Sequence, residues 1–243
     1  MKKILALLGL LVVAGLVFSL SRQSKPVVSI PTIPEVATPT KLCYYRSQET
    51  AGGLYDRGWI RFALKGFNVT GDFTMYPAEK DSKTGTFVGT ASELDQMSMS
   101  RTATLIWDTR AEGMQAKEEL LISFGDGSAS VAFGEMIKGA NGVYVYKDKT
   151  KLSYQRDFAQ VECESIDEIL AVESYIRSNI STITKDTAVL GGTWYTTSIV
   201  ANPAIDTALV AYEDGHIAGK GTISYSYEQT TKRVTVNSFA KEQ

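Results

Sequence analysis

Few residues in this sequence could carry out acid–base or nucleophilic chemistry. The 243 residues include a single histidine, His216, which excludes every site that needs two imidazoles. His216 follows the turn dipeptide Asp214-Gly215, so it could act as a general base oriented by a neighbouring carboxylate. No candidate nucleophile lies near it in the sequence, and a solvated histidine at a turn is the simpler interpretation.

Paired carboxylates are the other candidates for acid–base work. Glu118-Glu119, or Glu79 with Asp81, could serve a glycosidase-like hydrolysis at a suitable separation. Neighbours in a strand point to opposite faces, which favours solvated carboxylates. Lys83-Thr84-Gly85 matches a tripeptide of penicillin-binding enzymes. A three-residue match is weak evidence, so we interpret it as a loop. We predict no catalytic residue, and the sequence leans towards a protein that is not an enzyme.

Motifs for metals, nucleotides and acyl transfer are missing from the sequence. It contains no HExxH, no paired CxxC, no EF-hand loop, no GxxxxGK[ST] and no GxSxG. We expect no cofactor and no metal, although scattered carboxylates could still form a calcium site. The formal net charge of −2 lacks the basic footprint of nucleic-acid binding, so no nucleic-acid partner is expected.

Two tyrosines suggest a binding surface. Tyr144 and Tyr146 share one face of a short predicted strand, and Val143 and Val145 share the other. If the valines are buried, the two rings form an exposed platform that could stack on a sugar or on a protein. The alternative is a pair of ordinary half-buried strand tyrosines. Tyr144 and Tyr146 are the predicted ligand-binding residues, with a glycan or protein partner.

The two cysteines, Cys43 and Cys163, lie at the two ends of one predicted unit. In an oxidising compartment such a pair predicts a disulfide. Closing a loop of this size stabilises the fold by about 4 to 5 kcal/mol in the chain-entropy model. The alternative is a reactive thiol, for which His216 would have to be the base.

Hydrophobic residues recur with a period of two from residue 42 onward, which predicts a mainly β protein. In residues 42–163 we expect seven or eight antiparallel strands in a barrel or sandwich. Asp126-Gly127 and Asn141-Gly142 have the composition of hairpin turns. Large aromatic residues on the expected inward faces predict a filled interior: Phe67, Phe73, Phe124 and Phe133.

One helix and four strands are predicted after this unit. Residues 164–184 carry an apolar stripe at helical spacing, and Ser165 with Glu168 has the spacing of a capping box. We expect the stripe to pack against a sheet. Residues 185–243 predict a four-stranded meander, with Asp214-Gly215 as a turn, that packs on the helix or joins the first sheet.

The N-terminal region predicts membrane targeting. Lys2 and Lys3 precede 17 uncharged residues, a length between a signal-peptide core and a membrane-spanning helix. We favour an uncleaved single-pass signal anchor over residues 1–21; a cleaved signal peptide, giving a secreted protein, is the alternative. Residues 22–41 contain four of the six prolines and predict an extended stalk, or else a proline-rich partner motif. The remainder is expected outside the cytoplasm.

Two parts of the sequence resemble known groups of proteins. Gly192-Thr193-Trp194-Tyr195 resembles the GxWY opening of lipocalins, but it begins about 50 residues from the C-terminus, too few for eight strands, so we interpret it as coincidental. Longer stretches resemble a group of uncharacterised exported proteins from small-genome bacterial lineages, a resemblance that implies a bacterial envelope setting but no activity and no site residue. These stretches are residues 43–46, 77–83, 111–113, 133–136, 142–146 and 212–217.

Together these features predict a membrane-tethered, extracytoplasmic binding or assembly module of the bacterial envelope, without a specific activity. One alternative is a small-ligand carrier with a cavity inside the barrel. The other is a hydrolase that uses two carboxylates from neighbouring strands facing one cleft.

Overall fold

The computed structural model describes residues 38–78, 80–189 and 192–242. The predicted anchor, residues 1–21, and most of the predicted stalk lie outside the described residues. Within the described ranges, no helix is long and apolar enough to cross a membrane.

Eight antiparallel strands close into a barrel, which confirms the mainly β prediction and selects the barrel over the sandwich. The ring closes because the strand Ser153–Val161 pairs with Thr40–Glu49 on one side and with Ser128–Phe133 on the other. Its strands are β1 (Thr40–Glu49), β2 (Tyr55–Lys65), β3 (Asn68–Tyr76), β4 (Lys83–Ala91), β5 (Ser100–Ala111), β6 (Met114–Gly125), β7 (Ser128–Phe133) and β10 (Ser153–Val161).

The barrel core follows from the period-two pattern. On β5, Ala103, Leu105 and Trp107 are buried, whereas the intervening Thr104 and Ile106 are exposed. The lumen is packed by buried side chains from all eight strands, among them Tyr44, Ile60, Phe62, Phe73, Phe87, Leu105, Ile122, Phe124, Val131 and Phe158.

Two of the four aromatic residues expected inside the barrel are not in this core. Phe67 and Phe133 are 53% and 40% exposed. Phe67 lies in the turn before β3, where strand alternation does not apply, and Phe133 is the last residue of β7. The predicted filling of the interior by all four rings is therefore wrong, although Phe73 and Phe124 are buried.

Lys83-Thr84-Gly85 does not form the predicted loop, because it begins strand β4. Two lumen-side positions of β4 are glycines, which removes the apolar alternation that identifies a strand. A Cβ atom at Gly85 would lie 2.0 Å from the carbonyl oxygen of Asp108, and one at Gly89 would lie 2.1 Å from that of Thr104. Glycine is needed at both positions because β4 approaches β5 so closely.

The barrel wall opens between β6 and β7 at the end where β6 begins. β7 pairs with β6 only over Ile122–Gly125. Next to the opening lies a hairpin of β8 (Met136–Lys138) and β9 (Tyr144–Tyr146), and β9 pairs in parallel with β6 at Glu118. Asp126 and Gly127 both have positive φ, 47° and 74°, as the predicted tight turn between β6 and β7 requires.

Helix α1 (Cys163–Thr184) joins the barrel to the last four strands. The predicted capping box is wrong, since the helix begins earlier: its N-cap is Glu162, without a side-chain cap hydrogen bond. Glu168 instead accepts a hydrogen bond from the Tyr225 hydroxyl at 3.0 Å. The predicted disulfide is confirmed: Cys43 on β1 is bonded to Cys163 at the start of α1.

The four C-terminal strands form a separate antiparallel sheet, in which each strand pairs with the next one along the chain. Buried residues of α1 at helical spacing pack on this sheet: Ile169, Val172, Ile176 and Ile180 meet Ile199, Val210, Tyr212 and Ile223. The strands are β11 (Tyr195–Asn202), β12 (Thr207–Glu213), β13 (Ala218–Glu228) and β14 (Arg233–Lys241).

Candidate ligand cavity at the barrel mouth

The two predicted ligand-binding tyrosines do not form an exposed platform. Tyr144 is 38% exposed, but Tyr146 is only 8% exposed and packs with Leu121 and Ala132. The Tyr146 hydroxyl donates a hydrogen bond to the Ala132 carbonyl at 2.8 Å. Tyr144 is exposed, whereas Val143 and Val145 are both half-buried. The hairpin therefore does not separate a buried valine face from an exposed tyrosine face.

The side chain of His216 is exposed, and its neighbour Asp214 has a structural role. The buried carboxylate of Asp214 accepts backbone hydrogen bonds from Val189, His216 and Ile217 at 2.6 to 2.9 Å. These N–H donors lower the pKa of Asp214. The Asp214 carboxylate thus ties the segment before β11 to the β12–β13 turn.

A cavity of about 620 Å³ opens at the barrel end where β6 begins. This volume is within the range of small-molecule sites. We call it the barrel-mouth cavity. The floor of the cavity is apolar and consists of Phe73, Met75, Trp107, Leu120 and Val131. One side wall consists of Ala132, Phe133, Gly134, Met136 and Tyr146. The other described lining residues are mostly charged: Pro77, Lys80, Asp81, Lys83, Glu112, Glu118 and Glu119.

Strand register places one lysine and one glutamate on the lumen side of this cavity. Glu118 lies directly opposite Trp107, and Lys83 lies directly opposite Met75. Opposed residues of an antiparallel pair point to the same face of the sheet. Because Trp107 and Met75 belong to the apolar floor, Lys83 and Glu118 also face the lumen.

Lys83 and Glu118 form a two-pronged ion pair over the aromatic floor. The Lys83 Nζ donates to Glu118 Oε1 at 2.8 Å and to Oε2 at 2.6 Å. The lysine and glutamate side chains are 36% and 15% exposed. The same Nζ lies 5.1 Å from the centre of the Trp107 ring, which in turn stacks obliquely on Phe73 at 4.9 Å. A cation above an indole face is a favourable arrangement.

Glu119 points to the opposite face of β6, as strand geometry requires, but it is not solvated as expected. Its side chain is buried; one oxygen accepts from Lys149 Nζ at 2.6 Å and the other from the backbone N–H of Tyr146 at 3.2 Å. The prediction of merely solvated carboxylates is therefore wrong for Glu118-Glu119. Asp81 is exposed at the rim of the cavity, and Glu79 lies outside the described residues.

The carboxylates of the cavity do not match the arrangement expected of the hydrolase alternative. Of the acidic residues in its described lining, the two on strands, Glu118 and Glu119, both belong to β6, and each is bonded to a lysine. Asp81 and Glu112 belong to connecting segments. In the described part of the chain, no group of three or more His, Cys, Asp or Glu side chains could hold a metal ion.

Sequence reasoning missed Lys83 and Trp107 as site residues, and with them the cavity. One signal was available: Glu118 is in phase with Leu120, Ile122 and Phe124, so a charged residue occupies an inward position of an otherwise apolar alternation. A charge on the buried face of a strand requires a partner. Nothing local identifies that partner, since Lys83 is 35 residues away.

Comparison with protein-family models, with curated proteins and with solved structures finds no match to this chain. The resemblance to uncharacterised exported proteins therefore stays a prediction from the sequence. The function has to be argued from the geometry of the barrel-mouth cavity.

Proposed function

We propose that this protein is a non-enzymatic binding protein for a small molecule, which occupies the barrel-mouth cavity. The observation that supports this proposal is the cavity itself, about 620 Å³, with an apolar floor and six charged side chains among its described lining residues. The sequence argument against a carrier expected a filled interior, and the lumen is packed. The cavity lies at the barrel mouth, where Phe133 is exposed and β6 is not paired with β7. The carrier alternative therefore replaces the assembly module as the best-supported function.

The apolar lining supplies a driving force for binding an apolar group. The apolar surface that a ligand can reach comes mainly from Met75, Phe133 and Met136, since Phe73, Trp107 and Leu120 at the base of the cavity are almost fully buried. Removing apolar area from water is worth about 25 cal/mol per Å², so covering about 200 Å² gives about 5 kcal/mol before the entropy cost of immobilising the ligand. We therefore expect dissociation constants of about 0.2 mM or weaker for simple apolar probes.

The proposed setting of this activity is outside the cytoplasm, with residues 1–21 as a signal anchor and residues 22–41 as a stalk. The Cys43–Cys163 disulfide supports an oxidising compartment. A tethered barrel would hold a small molecule close to the outer surface of the membrane. Mass spectrometry of the full chain isolated from its native membrane, with and without thiol alkylation, tests both the uncleaved N-terminus and the oxidised pair.

The binding proposal is tested with N-phenyl-1-naphthylamine, an uncharged probe that fluoresces in apolar surroundings. The full-length protein is titrated beside Met75→Trp, which fills the cavity, and Met114→Trp, which makes the same change at an exposed position outside it. All three proteins keep the apolar residues 4–20, so probe uptake by that segment cancels.

We expect wild type and M114W to bind the probe alike, and M75W to lose about tenfold or more in affinity. Thermal denaturation of each protein shows whether the variants are folded. Equal binding by folded M75W and M114W would overturn the proposed function.

A further inference from the structure

We propose that Glu118 sets the charge selectivity of the barrel-mouth cavity: by neutralising Lys83 it makes the cavity accept uncharged apolar molecules and reject organic anions. This inference rests on the proposed function, since it concerns the ligand class of the same cavity. It assigns Glu118 as a specificity-determining residue and Lys83 as the latent anion site that Glu118 occupies.

The geometry of the Lys83–Glu118 pair disfavours an anionic ligand. Both carboxylate oxygens of Glu118 lie within 2.8 Å of the Lys83 ammonium. Glu118 already balances the charge of Lys83, which is 36% exposed, so an anionic ligand that bound Lys83 in its place would have to displace Glu118. The displaced carboxylate, only 15% exposed, would be left beside the apolar floor without its cation, and an uncompensated charge in such surroundings is strongly unfavourable.

The charges of the other lining residues also disfavour an anionic ligand. Among the described lining residues, four carboxylates face two lysines. Of those lysines, Lys83 is held by Glu118, and Lys80 is exposed at the rim. The carboxylate of Glu119 is bonded to Lys149, and the rim carboxylates Asp81 and Glu112 add negative potential. An approaching anion therefore meets no free cation in the lumen and a surplus of like charge at the rim.

The apolar part of the lining favours an uncharged ligand. Trp107 and Phe73 form an oblique aromatic pair, with Met75 and Leu120 beside it. The two rings and Leu120 are almost fully buried, so an apolar or aromatic body in the cavity would mainly contact the half-buried Met75 and Met136, without disturbing the Lys83–Glu118 pair. The polarizable Met75 thioether can adapt to different ring shapes, so we expect a class of uncharged ligands and not a single shape.

The test compares two probes that share an aromatic body and differ in charge. N-phenyl-1-naphthylamine is uncharged, and 8-anilino-1-naphthalenesulfonate carries a sulfonate. Full-length wild type is titrated with both, beside Glu118→Gln and Glu135→Gln. Glu135 is the matched control, because its carboxylate also pairs with a lysine, Lys147 at 2.7 Å, but the pair is exposed and lies outside the cavity lining.

We expect wild type and E135Q to bind the uncharged probe about tenfold or more tightly than the sulfonate. In E118Q the released Lys83 should raise the affinity for the sulfonate by about tenfold, while the affinity for the uncharged probe changes by less than about threefold. The double variant K83Q/E118Q should lose that gain, which assigns it to Lys83.

A further variant keeps the proposal testable if E118Q does not fold. Lys83→Gln leaves Glu118 without its cation, so it should favour cationic trimethylammonium-diphenylhexatriene over uncharged diphenylhexatriene by about tenfold relative to wild type. Equal binding of the two naphthalene probes by wild type, or unchanged probe ratios in the folded variants, would overturn the selectivity proposal alone. Failure of wild type to bind the uncharged probe would overturn the proposed function, and the selectivity with it.

Discussion

Two regions of the barrel each contain a partly or fully buried ion pair, and the two pairs differ in what surrounds them. At the interface between the barrel and α1, Arg57 bonds Glu173, and the two side chains are 12% and 8% exposed. At the mouth, Lys83 bonds Glu118 next to an open cavity. The first pair is nearly buried, and Arg57 lines a pocket of only about 150 Å³, whereas the second pair lines the much larger barrel-mouth cavity of about 620 Å³.

The interface has the features of a structural joint. Cys43, Trp59 and Ile166 form a small buried cluster there, and the Cys43–Cys163 disulfide crosses it. Arg61 adds a second contact to α1, its guanidinium lying 3.1 Å from Asp167. Substitutions at the interface should therefore lower the free energy of unfolding and leave probe binding unchanged. Substitutions at the barrel mouth should change probe binding and have little effect on the free energy of unfolding.

The largest expected effect at the interface is that of the disulfide. Replacing both cysteines in C43S/C163S removes a crosslink that spans 120 residues, so we expect a loss of about 4 kcal/mol in the free energy of unfolding. Urea denaturation of the oxidised wild type and of the variant measures it. A loss below about 1 kcal/mol would show that the joint does not depend on the crosslink.

The next largest effect should come from breaking the interface ion pair. Glu173→Leu leaves Arg57 buried without its carboxylate, and we expect a loss of about 3 to 5 kcal/mol. The double variant R57M/E173L replaces both charges by apolar side chains and should recover most of that loss. Probe binding at the mouth should stay at the wild-type value throughout; a parallel loss of binding would contradict the separation of the two regions.

The strand class, the disulfide and the helix could be predicted because each depends on a pattern visible over a few residues or on a pair of unique residues. The cavity could not. The cavity exists because β7 pairs with β6 only at Ile122–Gly125 and then separates from it. In addition, glycines allow β4, which contains Lys83, to lie close to β5. Both causes are long-range. The burial of Tyr146 likewise depends on how a three-residue strand packs on a distant wall.

The Lys83–Glu118 pair should contribute much less to the free energy of unfolding than the Arg57–Glu173 pair. Glu118→Gln removes a pair whose lysine is 36% exposed, so we expect less than about 1 kcal/mol of destabilisation, against the much larger loss for E173L. The melting temperatures of the two variants, measured side by side, check this order. An equal loss for both would mean that the mouth pair is structural.

Protonation of Glu173 should contribute to the pH dependence of the free energy of unfolding. Burial raises the pKa of Glu173 above its usual value, and this effect outweighs the lowering by Arg57. A raised carboxyl pKa means that the folded state binds this proton more tightly than the unfolded state. The contribution of Glu173 is therefore largest below its unfolded pKa near 4.5 and is lost as pH rises through the folded pKa.

We expect wild type to gain stability relative to Glu173→Gln as the pH is lowered from neutral towards 4.5, the ordinary pKa of this group. Urea denaturation of both proteins across that range measures the difference, and the matched variant cancels every other titrating group. A constant difference across the range would contradict the assigned shift.

The central claim, that a small molecule binds in the barrel-mouth cavity, is tested most directly by proton–nitrogen NMR of the tryptophan indoles. The chain has three tryptophans; Trp107 lies on the cavity floor, Trp59 at the α1 interface and Trp194 in the core of the C-terminal sheet. Adding N-phenyl-1-naphthylamine should shift the Trp107 indole signal, identified by its absence in W107F, and leave the Trp194 signal in place. Binding of the probe with no movement of the Trp107 signal would contradict the account.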